Sequence, residues 1–117
     1  MPVTRLEIES ITDFASGESF GDVGPYQFIE GSAQFAVDPS SPRNDVVTDI
    51  ELAPKDSDGA VRFSSDFAVL CPKDPDRANG RMLFDVLNRG NKTVMSHFNG
   101  APRPTDPMAP LNSGNGF

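Results

Sequence analysis

The sequence predicts a β-rich chain in which antiparallel strands lead into one central strand and a single short helix. Three observations predict it. Apolar and polar residues alternate along residues 3–14, 46–52 and 61–70, the period of two that marks strands with one face buried. Turn-forming residues separate these stretches, among them Asp58-Gly59, a pair that tolerates the positive φ of a tight hairpin. Residues 81–91 read R-M-L-F-D-V-L-N-R-G-N, where Met82, Leu83, Phe84, Val86 and Leu87 form an apolar run broken only by Asp85. Bounded by Gly80 and Gly90, that run has the pattern of a central parallel strand buried on both faces.

Composition narrows the function classes. A chain of 117 residues makes one domain at most, large enough for a modest core. Its hydrophobic content of 37% is low for a globular domain, yet above that of disordered chains. Ten Lys and Arg against seventeen Asp and Glu give a net charge of −7. Such a charge repels phosphate backbones and anionic lipid, so neither nucleic acid nor a membrane surface is an expected partner. One cysteine, Cys71, and one histidine, His97, cannot supply an internal disulfide or a zinc-finger-type site, and no cofactor or metal is expected. The first residues hold no apolar stretch of signal-peptide length, and no run is long enough to cross a bilayer. The expectation is a soluble protein of a reducing compartment, the cytoplasm.

Taken in order, residues 3–14 read as a half-buried strand. Residues 15–25 hold Gly17, Gly21 and Gly24 among Ser16, Ser19 and Asp22, a loop with several positions free to take φ > 0. Phe20 is expected to tack that loop to the core. A phosphate loop is the sharper reading, but the G-x-x-G spacing lacks its lysine and its helix. Residues 26–37 form a second strand, with a bulge or bend expected at Gly31. D-P-S-S-P at 38–42 is a turn, residues 46–52 and 61–70 flank the Asp58-Gly59 hairpin, and residues 72–79 are a polar turn. The first ninety or so residues thus read as an antiparallel meander. Beyond the central strand, Val94, Met95 and Phe98 share a face of a short helix over 93–98, stopped by Gly100. Four prolines follow Ala101, so residues 101–117 are expected to be loop or a frayed tail.

Several phrases carry a resemblance. F-G-D-V-G-P-Y at 20–26, F-A-V-D-P at 35–39, L-A-P-K-D-S-D-G-A-V-R-F-S-S-D-F at 52–67 and D-V-L-N-R-G-N-K at 85–92, followed by F-N-G-A-P, are similar to the amino-terminal region of a family of bacterial α/β-hydrolase-domain proteins. The likeness covers essentially the whole chain, in order. It implies an α/β-hydrolase-like fold of which residues 1–117 supply the β-rich N-terminal segment. It also implies that the nucleophilic serine, the acid and the histidine lie beyond Phe117. The function implied is the N-terminal part of a serine hydrolase, an esterase or amidase acting on a small-molecule substrate by acyl transfer. This chain would hold no catalytic residue of its own and would not turn over substrate alone. With a central strand lacking its neighbour, the isolated chain is expected to self-associate. The alternative is a stand-alone β-rich binding module using the loops at 17–25 and 88–91.

In such hydrolases the loop after the third sheet strand supplies a backbone N–H to the oxyanion hole. Asn88, Arg89, Gly90 and Asn91 hold the matching place if residues 82–87 are that strand, although no H-G-G-G signature is present. A preorganised donor there is worth about 3–4 kcal/mol. Otherwise Asn88 and Asn91 cap the following helix and Arg89 braces the loop against Asp85. Asp85, the one charge in the apolar run, reads as a structural buried acid that must be paired, with Arg89 or the N–H groups of the following turn. His97 beside Ser96 invites a catalytic reading, but adjacent helical residues point about 100° apart, and a packing or capping role is favoured. Cys71 reads as a buried small hydrophobe, and Asp56, Asp58, Asp74 and Asp76 as solvated turn residues.

Overall fold

A computed structural model describes residues 3–87, 89–104 and 110–114. The chain forms a four-stranded sheet from β1 (Val3–Asp13), β2 (Ser19–Phe20), β3 (Gly24–Val37) and β4 (Val61–Pro72), followed by one short helix, α1 (Val94–Phe98). β3 is the centre: β1, β2 and β4 all pair with it. β2 runs antiparallel to β3, with Ser19 opposite Pro25 and Phe20 opposite Gly24. The other pairings are antiparallel too. Lys73 N–H donates to the Pro25 carbonyl at 3.0 Å and the Phe63 ring stacks on Phe35 at 4.8 Å, so residue numbers fall on β4 as they rise on β3. On the other side Thr4 Oγ1 donates to the Gln34 carbonyl, and the Glu7 carbonyl lies against Gly31. The antiparallel sheet and the short helix that the sequence suggested are present among the described residues.

The protein divides into two compact units, Met1–Thr12 with Phe28–Val69 and Asp13–Gln27 with Leu70–Phe117. The first buries Ala33, Val37 and Ile50, and Val37 is its most enclosed residue. The second buries Phe14 and Ala101. There Phe20 stacks on Phe14 at 5.9 Å and meets Tyr26 edge-on at 5.7 Å, fastening the loop as its sequence suggested. Lys73 Nζ pairs with the Asp13 carboxylate at 2.5 Å in the same unit.

Four sequence expectations are corrected. Residues 82–87 are not a strand: they have no regular structure, join no ladder among the described residues, and leave Met82 86%, Phe84 77% and Val86 81% exposed. An apolar run states what side groups need, whereas a strand exists only where a neighbour offers its N–H and C=O groups. Residues 46–52 are turns instead of a strand. Val47 N–H donates to the Asn44 carbonyl, Leu52 N–H to that of Asp49 and Ala53 N–H to that of Ile50, and Asp49 takes a left-handed conformation. Asn and Asp stabilise such turns locally, and the alternating pattern yields to them. The Asp58-Gly59 turn forms, with Gly59 N–H bonded to the Asp56 carbonyl, but it leads out of turns rather than out of a strand.

The third correction concerns Gly31, where β3 continues without a break. A Cβ at this position would run into the Glu7 carbonyl oxygen and the Phe67 ring. The glycine permits close approach across the sheet, the other reason for glycine inside a strand. The fourth concerns β1, which is not half-buried: Leu6 at 60% and Ile8 at 57% stand exposed on one parity, and Val3 and Ile11 on the other.

Candidate functional site

The site residues that the sequence put forward, Asp85 and residues 88–91, fall within the apolar run and in the stretch between it and α1. Asp85 is half-buried, and its Oδ2 accepts the Val94 N–H at 3.2 Å. Val94 opens α1, so the carboxylate satisfies one of the orphan donors at the helix start and lies favourably at its positive end. The partner is a helix N–H rather than Arg89 or an N–H of the turn that the sequence suggested, and no ion pair joins Asp85 to Arg89 among the described residues. Fully buried, as the central-strand reading required, it is not.

Asn88 lies outside the described residues. Arg89 and Gly90 are both exposed and both left-handed, with φ of 53° and 79°. Glycine reaches that region without cost, whereas arginine there is strained by its Cβ. Nothing in the sequence marks Arg89 for it. Asn91 is half-buried, and its Oδ1 is shielded from solvent with no hydrogen-bond partner among the described residues. A shielded, unpaired carbonyl oxygen is costly, and no sequence pattern signals this one. The loop is therefore closed at one end by the Asp85 to Val94 bond and turned sharply at its tip.

The reactive groups of α1 are engaged elsewhere. Ser96 Oγ donates to the Thr93 carbonyl at 2.8 Å. His97 Nε2 receives an N–H from the Arg103 guanidinium at 3.3 Å; the guanidinium has only donors, so the imidazole nitrogen is the acceptor. Serine and histidine thus form no nucleophile–base pair with each other. Cys71, on β4, is half-buried rather than enclosed, and its Sγ accepts from Gln27 Nε2 at 3.6 Å. Among the described residues no three His, Cys, Asp or Glu residues converge as metal ligands do. Nor is any helix among them long and apolar enough to cross a membrane.

The acidic turn residues are surface groups with local duties. The Arg62 guanidinium bridges Asp56 and Asp58. The Asp58 carboxyl lies below its ordinary value, chiefly because it accepts the Ala60 N–H, with Arg62 adding attraction. Asp74 accepts the N–H of Asp76. In the first unit a cavity of about 290 Å³ is lined by Thr4, Gln34, Phe35, Arg62, Phe63 and Ser64. Two of its polar groups are already engaged, Arg62 with the two aspartates and the Thr4 hydroxyl with the Gln34 carbonyl.

Comparisons with protein-family models, with curated proteins and with solved structures give no match for this protein. Its chemistry has to be read from its own residues.

Proposed function

We propose that this chain is the leading part of a serine hydrolase of α/β-hydrolase type, acting by acyl transfer on a small ester or amide. Its serine, acid and histidine would come from outside these residues. Residues 88–91 would form the loop that lends a backbone N–H to the oxyanion. The observation that carries the reading is the pairing of an uncovered apolar run with that loop. Met82, Leu83, Phe84, Val86 and Leu87 all stand exposed, and apolar surface on that scale is a binding surface for further structure. The run feeds directly into the left-handed tip at Arg89 and Gly90, anchored behind by Asp85 on α1. A turn of this kind after an apolar segment can present backbone N–H groups to developing negative charge. The resemblance of its residue phrases to the α/β-hydrolase-domain family supports the same reading.

The test is expression of the gene's whole reading frame beside the 117-residue protein. The whole product should hydrolyse short p-nitrophenyl esters and lose activity to a serine-directed phosphonate, while the short form should match a protein blank. Saturable, phosphonate-sensitive turnover by the short form, or a whole product with no phosphonate-reactive serine, would contradict the proposal. One observation favours the second reading, a binding module. The loop at 17–25 is braced by Phe20 between Phe14 and Tyr26, and a pre-ordered loop loses less entropy on binding.

A further inference from the structure

Two Asn-Gly pairs lie within the described residues, Asn79-Gly80 and Asn99-Gly100, and they are held very differently. Asn79, Gly80 and Arg81 are all exposed and outside any helix or strand. Asn79 Oδ1 accepts the Arg81 N–H at 2.9 Å, a local turn that closes the side-chain amide onto the backbone two residues on. Gly80 has φ of 69°, and nothing lies within 4 Å of where its Cβ would be. Asn99, by contrast, ends α1: its N–H and that of Ala101 both bond to the Met95 carbonyl. Its own carbonyl is packed so closely on Gly114 that no Cβ would fit there.

The geometry points to Asn79-Gly80 as a site of spontaneous covalent modification, in which the fold promotes deamidation at Asn79 and suppresses it at Asn99. The Gly80 backbone nitrogen, giving its proton to water, bonds to Asn79 Cγ. Nδ2 takes a proton from water, the Oδ1 anion collapses back to a carbonyl, the bond from Cγ to Nδ2 breaks and ammonia departs, leaving a five-membered imide. Water opens the imide at either carbonyl, giving aspartyl or isoaspartyl at position 79. The oxygen that carries negative charge in the tetrahedral intermediate is Oδ1, the atom already held by the Arg81 N–H, so the turn supplies a preformed donor to it. Unencumbered glycine lets the backbone swing into the ring. Asp58-Gly59 shares the turn, with Oδ1 accepting the Ala60 N–H, but its group is a carboxylate paired with Arg62 and a poor electrophile. The product adds one negative charge and, in the isoaspartyl form, one backbone methylene immediately before the apolar run.

Incubating the folded protein and the urea-unfolded protein at mildly alkaline pH, with peptide mass spectrometry at intervals, tests this. Asn79 should convert in the folded protein at least as fast as in the unfolded one, giving both aspartyl and isoaspartyl products. Asn99 should convert roughly tenfold more slowly folded than unfolded, because it must first open locally. Gly80→Ala should slow Asn79 conversion roughly tenfold, since alanine resists left-handed backbone. Asn79→Gln should abolish conversion at that position. Protection of Asn79 by folding, an aspartyl product alone, or an unchanged rate in Gly80→Ala would each overturn the inference.

Discussion

At position 31 the Glu7 carbonyl and the Phe67 ring close, from the two strands beside β3, on the spot where a methyl group would stand. The carbonyl, being backbone, cannot step aside. Gly31→Ala should therefore lower stability by about 1–3 kcal/mol, the usual cost of overpacking, seen as a lower urea midpoint with an unchanged slope. Asp85 is a milder case. Half-buried and bonded to a neutral N–H at a helix start, it acts as a cap, so Asp85→Ala should cost about 1 kcal/mol. Breaking a buried ion pair would cost about 3–5 kcal/mol, and a loss of that size in the same denaturant titration would restore the buried-pair reading. Both residues were conspicuous in the sequence, a glycine inside a strand and a charge inside an apolar run. What the sequence lacked was the neighbour each one meets, because Glu7, Phe67 and Val94 are set by register and by the path of the backbone.

At the scale of elements, the strands with a partner were legible and the strands without one were misread. β1, β3 and β4 form where strands were expected, because each pairs with a neighbour in the sheet. Residues 46–52 show the same alternation, yet their backbone bonds to itself in successive turns, with Asp49 left-handed, instead of to a neighbouring strand. The turns carry their own prediction. Asp38 is held below its ordinary value of 3.8 by the Ser40 hydroxyl and N–H, and Asp58 by the Ala60 N–H and Arg62. A depressed carboxyl stabilises the fold above its unfolded value and loses that contribution as pH falls through the folded value. Thermal melts should thus be flat above about pH 5 and fall below about pH 4. Asp58→Asn should flatten part of that acid limb. An acid limb identical in the variant would show that Asp58 takes no part in it.

For the whole molecule the decisive feature is the apolar surface left uncovered over residues 82–87. The α/β-hydrolase reading starts there and expects a hydrophobic dye to find it, whereas the binding-module reading starts from the loops at 17–25 and 88–91 and expects none. Phe84, 77% exposed, makes a clean probe. Phe84→Ser should cut dye fluorescence sharply while shifting stability by no more than about 0.5 kcal/mol, as surface substitutions do. A large loss of stability would place the ring in a core. The sequence announced this run more loudly than any other stretch, but its periodicity could not say whether a partner strand was at hand. Amide hydrogen exchange answers that question most directly, because protection follows hydrogen bonding and burial. Peptides covering residues 82–87 should exchange at nearly unprotected rates while those from the middle of β3 stay protected. Protection of residues 82–87 equal to that of β3 would mean that the run is a paired central strand, and would contradict an apolar segment left without a partner.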